Sequence, residues 1–266
     1  MPYSNQIIDM MTTFYTHYYR DELGLPDWQN YVKSRYTEEK NILPIIEQVE
    51  DLCGKPFSQG MKILVLGGGT GAEFLALSTR GCDTYAIEPD KIAVTVGTLK
   101  AKENGINPSK FIQGVGEQLP FHNSAFDLVW CWTVLEHVSD VKTCIHEMVR
   151  VTKPLGNIFI GTPDYHQFFE AHYKLFMPMI APKWVLRLWL KILGRPVLFL
   201  SRLNLLMTRT FLTRIFQELP VFSYFVVLPW SDNFITARSW KWRTVKWITR
   251  VFGIHHFQYW ILKKIH

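Results

Sequence analysis

Cysteine is scarce in this chain, with four in 266 residues, and Cys53, Cys82, Cys131 and Cys144 form no Cys-x-x-Cys pair. That scatter offers neither a zinc-ribbon ligand set nor a disulfide framework, so a reducing, cytoplasmic setting is expected. Long apolar runs are also missing. Charges interrupt every stretch before it reaches the roughly 20 residues that span a bilayer, and the opening Met1-Pro2-Tyr3-Ser4-Asn5-Gln6 has no basic start ahead of an apolar core, so no secretory leader is expected. No internal repeat or disordered tract is visible. Acidic residues are missing from one part only: residues 1–150 hold 13 Lys+Arg against 19 Asp+Glu, whereas 151–266 hold 16 against 4. The basic part also carries seven of the ten tryptophans. That asymmetry calls for an anionic partner, which could be a membrane surface, a nucleic acid or an anionic substrate. With 48% hydrophobic residues the chain can bury a sizeable core.

The most informative positive feature is Ile63-Leu64-Val65-Leu66-Gly67-Gly68-Gly69-Thr70-Gly71, an apolar run that breaks into glycines, as a buried strand does when it feeds a nucleotide-binding turn. A helical segment, Glu73 to Arg80, and the run Thr84-Tyr85-Ala86-Ile87 lead to Glu88, about 20 residues past the first glycine, where such a site places its ribose-binding carboxylate. Phe111-Ile112-Gln113 reads as a third strand and Phe126 to Trp130 as a fourth, with Leu135-Glu136-His137-Val138 at a helix start. Gly156 to Ile160 reads as a fifth, entered from a turn at Lys153-Pro154-Leu155-Gly156, and Phe257 to Leu262 as a returning edge strand. Residues 1–60 read as helical, with one clear helix from Tyr31 to Cys53.

The glycine loop, Glu88, Glu117-Gln118-Leu119-Pro120-Phe121, Phe126-Asp127-Leu128-Val129 and Leu135-Glu136-His137-Val138 occur in the order that characterises class I S-adenosylmethionine-dependent methyltransferases of the ubiquinone and menaquinone type. Residues 61–163 closely resemble that family. The resemblance implies an α/β fold, with a Rossmann-like, doubly wound, seven-stranded, mostly parallel sheet. It also implies a helical N-terminal cap over residues 1–60, an acceptor-binding, helical, aromatic-rich region over 164–266, and S-adenosyl-L-methionine as cofactor. The cofactor residues it implies are Gly67, Gly68, Gly69, Thr70 and Gly71, Glu88 with Pro89, Gly116 and Glu117, and Trp132. Two positions depart from the pattern: Val65 stands where an acidic residue helps hold the methionine end, and Val115 where an aspartate lies near the adenine. Each removes a polar contact of about 1 kcal/mol, which motivates a non-catalytic binding module as one alternative. An NAD-dependent oxidoreductase is disfavoured, because the glycine spacing is not Gly-x-Gly-x-x-Gly.

Methyl transfer from a sulfonium asks mainly for alignment in a dry site. A hydroxyl acceptor adds a proton to remove, a task suited to histidine. The candidates are His137, after the fourth strand, and His166 or His172, after the fifth, with Glu170 as orienting group; at helical spacing His166 and Glu170 would share a face. No recognised ligand spacing is present, so no metal site is expected.

In Lys183–Leu193, Lys183, Arg187 and Lys191 recur every four residues among Trp184, Leu186, Trp189, Leu190 and Leu193, the pattern of a helix lying in a headgroup plane. Trp240 to Phe252 repeats the theme with Arg243, Lys246 and Arg250. The basic residues are interleaved with large aliphatics, unlike a phosphate-tracking surface. No Asn/Asp-Pro-Pro-Tyr/Phe tetrapeptide follows the fourth strand, so nucleic acid is the weaker partner. The expected acceptor is an amphipathic, lipid-linked small molecule methylated on a hydroxyl or carbon, by a protein held peripherally on an anionic, cytoplasmic membrane face. A soluble sugar or small-molecule O-methyltransferase is the alternative.

Overall fold

The computed structural model describes residues 3–166, 169–226 and 257–265. Three helices precede the sheet. The first, α1 (Asn5–Thr16), buries Ile7, Met11 and Tyr15, a four-residue spacing that places them on one stripe. The chain then widens into a π-helical turn, His17–Glu22, which buries Tyr19 and closes with the Leu23 N–H donating to the Tyr18 carbonyl. The single helix expected from Tyr31 to Cys53 is two, α2 (Trp28–Arg35) and α3 (Glu38–Cys53). Glu38, the first residue after the break, is buried against Thr70 and Lys100. Such a tertiary contact leaves no mark on hydrophobic periodicity.

The sheet runs β3-β2-β1-β4-β5-β9-β8, from β1 (Lys62–Leu66), β2 (Asp83–Glu88), β3 (Phe111–Gln113), β4 (Phe126–Trp132), β5 (Thr152–Pro163), β8 (Val221–Val226) and β9 (Phe257–Lys264). Helices α4 (Ala72–Thr79), α5 (Lys91–Glu103) and α6 (Val141–Val151) connect the first five strands. These strands pair in parallel, and β9 alone among the described strands of this sheet is antiparallel to its neighbours, β5 and β8. The seven-stranded, mostly parallel α/β architecture is therefore as expected. One detail is corrected: β9 does return, yet the edge belongs to β8. β5 also begins earlier than expected, at Thr152, with a register irregularity opposite Phe126–Leu128 and Leu155 at φ +62°.

Alternation along the strands sends side chains to two cores. Leu64, Leu66, Val129, Cys131, Ile158 and Ile160 pack on one face, with α1, α6 and the C-terminal helices. Ile63, Val65, Leu128, Trp130, Trp132 and Phe159 pack on the other, with α3 and α4. Burying one such side chain stabilises the fold by about 1.5–3 kcal/mol, so both faces are covered, as parallel sheets require.

After β5 the chain makes a small hairpin, β6 (Phe169–Glu170) and β7 (Leu175–Phe176), then α7 (Lys183–Ile192), α8 (Leu198–Ser201) and α9 (Arg209–Gln217). The shared helix face expected for His166 and Glu170 is overturned by this hairpin. Alternating aromatic and polar residues there form a short strand and turn instead of a helical turn.

Candidate active site

β1 and β4 are neighbours whose following loops lie at the point where the strand order reverses, and in an open α/β sheet that is where a crevice forms. The loop after β1 is fixed by its backbone. Gly67 N–H and Gly68 N–H both donate to the Ile87 carbonyl, at 2.9 and 3.0 Å, and Gly71 N–H donates to the Gly68 carbonyl at 2.8 Å. Two glycines are needed here for different reasons. Gly67 sits at φ +73°, and a Cβ on it would stand 2.2 Å from Val134 Cγ2. Gly69, at φ +50°, has nothing within 4 Å of such a Cβ, so its backbone faces open space in the cleft.

Glu88 ends β2 and reaches back to this loop. Its Oε2 accepts from Gly69 N–H at 2.8 Å and its Oε1 from Asp90 N–H at 2.9 Å. Burial pushes its carboxyl above the usual range, against the pull of the two amides. Each oxygen keeps a second lone pair, so the carboxylate can also accept from a ribose diol. Asp90 then caps α5 by accepting from Ile92 N–H and Ala93 N–H. An open glycine loop beside a cleft-lining carboxylate fits S-adenosylmethionine.

Gly67, Gly69, Glu88 and Pro89 line the cleft; the other cofactor candidates do not. Gly68 packs beneath the loop against Phe111 and Ala86, and Gly71 lies over Gly97. Thr70 is buried, donating to Glu38 Oε1 and bonding Tyr15 Oη at 2.8 Å. A Cβ on Gly116 would meet Cys144 Sγ at 2.7 Å, and Glu117 Oε1 accepts from Ser139 N–H and Asp140 N–H, tying two loops together. Trp132 points to the opposite face of the sheet, beside Trp130 and Phe159, because even spacing along β4 puts 130 and 132 on one side. Val65 is buried on that same face, whereas Val115 is half-exposed.

The cleft measures about 2090 Å³, more than the 300–1,000 Å³ typical of one small ligand. Beyond the glycine loop its wall includes residues of α1 and the π-helical turn, Thr133, Val134 and His137 from the segment after β4, Tyr165 and His166 after β5, residues 179–183, and Phe199, 201–206 and Thr208. Thr133 holds φ +55° and donates its N–H to the Gly161 carbonyl at 2.7 Å, a strained conformation of the kind found at functional sites. Leu135–Val138 is a turn, not the expected helix start; α6 begins at Val141, capped by Asp140.

Of the four candidate catalytic residues, His137 and His166 reach the cleft, and His172 and Glu170 lie behind it. His137 is open to the cleft, and desolvation by the surrounding wall, with His172 and Arg202 nearby, lowers its pKa to about 3, which favours the neutral ring. Its ring centroid is 5.2 Å from that of His172. His172 Nδ1 meets Glu170 Oε1 at 2.6 Å, and Glu170 Oε2 accepts from Tyr173 N–H at 2.6 Å. Burial, the largest single effect, opposes the charged form of His172, but the Glu170 and Glu136 carboxyls together raise its pKa. Glu136, fully buried, accepts from Thr162 Oγ1 at 3.0 Å, and burial lifts its pKa to about 7. Sequence reading missed Glu136 as a site residue, although the Glu136-His137 dipeptide was its signal.

Glu38 was missed too. It gathers Thr70, Tyr15 Oη at 3.1 Å and Lys100 Nζ at 3.0 Å, and Lys100 also meets Glu39 at 2.9 Å. This buried network clamps the N-terminal helices to the glycine loop.

Farther along the wall, α7 is the expected helix, with a division the sequence did not show. Leu186 and Leu190 are core, while Trp184 (69% exposed), Leu188 (53%) and Ile192 (70%) form an outward ridge beside Arg187 and Lys191. Ile180 and Leu206, at the cleft rim, are exposed as well. The second basic segment, Trp240 to Phe252, lies outside the described residues, and no described helix is long and apolar enough to cross a membrane.

Comparison with known proteins agrees with this geometry. Residues 64–160 match the family model described as a methyltransferase domain. The chain is 32% identical over 99 residues to an uncharacterized methyltransferase of Bacillus subtilis, covering 37% of this chain and 39% of that protein. It is 31% identical over 117 residues to the ubiquinone biosynthesis O-methyltransferase of Photobacterium profundum, covering 44% and 49%. Thus the matches span half or less of these relatives' lengths. The crystal structure of an S-adenosylmethionine dependent methyltransferase from Mesorhizobium loti superposes with a TM-score of 0.56 at 13% identity, over 84% of this chain and 97% of that one, which speaks for the fold alone.

Proposed function

We propose, from the match of residues 64–160 to a methyltransferase-domain family model, that the chain is an S-adenosylmethionine-dependent enzyme that methylates a hydroxyl, or a carbon, of an amphipathic, lipid-linked small molecule. The observation that carries the reading is the single large cleft. One end has the open Gly69 backbone and the Glu88 carboxylate; the other has two imidazoles and an apolar rim. Its volume suits a cofactor together with an acceptor.

The bound cofactor supplies a methyl group on a sulfonium, a carbon already carrying a good leaving group. The glycine loop and Glu88 hold the nucleoside end, and Pro89 and Ile92 lie along the same wall. His137 presents an unprotonated nitrogen that can accept a hydrogen bond from an acceptor hydroxyl, and His166 is a second imidazole at the exposed side. Ile180 and Leu206 at the rim, continuous with the Trp184, Leu188 and Ile192 ridge, give an amphipathic acceptor an apolar approach. The flanking Lys183, Arg187 and Lys191 suit anionic headgroups. The name of the Photobacterium relative, which refers to ubiquinone biosynthesis, supports an acceptor of this kind.

The test is calorimetric titration of the purified chain with S-adenosylmethionine and, in parallel, NAD. S-Adenosylmethionine should bind and NAD should not, and Glu88→Ala should weaken binding about tenfold or more. Absence of S-adenosylmethionine binding would overturn the proposal. Methyl incorporation into quinol-type and other hydroxylated lipids, against free sugars, then identifies the acceptor class.

A further inference from the structure

We propose that Glu136, His137 and His172 form a binding site for one borderline divalent transition ion of the zinc class, with its open coordination position turned to the cleft. The inference rests on the reading above for its role, since the ion would receive the oxygen of a hydroxylated acceptor.

Three observations carry it. First, one donor atom from each residue lies within 4.8 Å of the other two, a grouping found among the described residues. Donors about 2.0–2.2 Å from a shared ion stand about 3.3 Å apart at tetrahedral angles and about 4 Å apart when opposed. Glu136 Oε1 and His172 Nε2, 4.0 Å apart, are already near that range and too distant to hydrogen-bond each other. Second, Glu136 Oε1 is buried and has no hydrogen-bond partner, although the residue is 0% exposed. A buried carboxyl oxygen left without a partner is unfavourable, a cost a cation removes. Third, the surrounding contacts are those that orient metal ligands. Glu170 Oε1 holds His172 Nδ1 at 2.6 Å, leaving Nε2 facing Glu136 Oε1; Thr162 Oγ1 holds Glu136 Oε2 at 3.0 Å, leaving Oε1 free; and the Glu136 carbonyl is pinned by Asn204 N–H at 2.7 Å.

Two imidazoles and one carboxylate favour zinc-class ions over magnesium or calcium, which prefer all-oxygen shells. Three protein ligands leave a fourth position. His137 is the ligand that lines the cleft, so that position faces the acceptor, and with the ion bound its unprotonated nitrogen holds the ion instead of the acceptor hydroxyl. A hydroxyl bound there becomes more acidic and gives up its proton to water, leaving an oxygen nucleophile on the ion.

The experiment uses the full chain, stripped by chelator and titrated with Co2+ by visible absorption and with Zn2+ by calorimetry. One equivalent of Co2+ should bind and give the intense d–d bands of a four- or five-coordinate site. His172→Ala should weaken Zn2+ binding at least 100-fold. Glu170→Gln, a milder change that keeps all three ligands, should weaken it about 10- to 100-fold. Thermal melting and S-adenosylmethionine titration of both variants report on folding. Failure of the folded wild-type chain to bind either ion stoichiometrically, or binding that both variants leave unchanged, would overturn the site. Because S-adenosylmethionine binding is read separately, loss of the metal proposal leaves the methyltransferase reading standing, and the reverse also holds.

Discussion

The two ends of the cleft are built in opposite ways. At the glycine-loop end, the loop after β1 and the tip of β2 face the cleft beside residues of α1 and the π-helical turn, and the loop is held by backbone hydrogen bonds to the neighbouring strand. At the histidine end, segments distant in sequence do much of the holding: the Thr162 hydroxyl and the Asn204 N–H on Glu136, with Glu170 adding a local contact two residues from His172. The first end depends on conformation, the second on tertiary docking. A substitution at the first should therefore act through φ and sterics, and one at the second through lost partners.

The largest effect expected tests whether the glycine-loop end is as self-contained as its backbone bonds suggest. Glu38→Ala leaves Lys100 buried with Glu39 alone and should destabilise the fold by about 3–5 kcal/mol, read from chemical denaturation. A change below 1 kcal/mol would mean that the N-terminal helices do not brace the loop. Next, Gly67→Val forces a branched side chain into Val134 at a left-handed φ and should weaken S-adenosylmethionine binding at least 100-fold, or about 2.7 kcal/mol. Retained affinity would refute the placement of the cofactor.

A third prediction concerns Glu73 in the first turn of α4, whose pKa burial lifts to about 7, with Glu38 and Glu39 adding to the rise and Arg35 opposing it. For an acid with a raised folded pKa the folded state binds more protons, so stability falls as pH rises through the window from the ordinary glutamate value, about 4.5, to about 7. Glu73→Gln should remove that fall, making the variant more stable than wild type at pH 8 by about 1–3 kcal/mol while leaving pH 4 stability nearly unchanged. Parallel slopes for the two proteins would rule out the shift. The smallest stability effect belongs to the outer ridge. Replacing Trp184, Leu188 and Ile192 with serine should change stability by no more than about 0.5 kcal/mol per site, yet reduce sedimentation with anionic liposomes several-fold. Unaltered sedimentation would detach the ridge from lipid binding.

The same contrast explains what the sequence disclosed. Strand, loop and carboxylate at Ile63–Glu88 were readable because a buried parallel strand is apolar throughout and the turn after it needs glycine, both local requirements. Gly67, Gly69, Glu88 and Pro89 accordingly fall on the cleft. Trp132 does not, because a motif position does not reveal which face of a strand a side chain takes. Thr70 and Glu117 are polar residues whose partners, Glu38 and the 139–140 amides, come from distant segments. The helix expected around His166 failed for a related reason: spacing of four is compatible with a tight hairpin, and here the chain pairs Glu170 with Leu175 across one, with Glu170 also holding His172.

The position of β9 bears on how the chain assembles. It pairs on one side with β5, Gly161 opposite Tyr259, and on the other with β8, so an inner strand of the sheet follows its own edge strand in the chain. Until residues 257–264 appear, β5 is an open edge and β8 has no strand to join. Closing that gap brings together segments roughly one hundred residues apart, a slow, high-contact-order step. Without that step β5 is an unpaired edge beside four other strands, the kind of surface that invites aggregation.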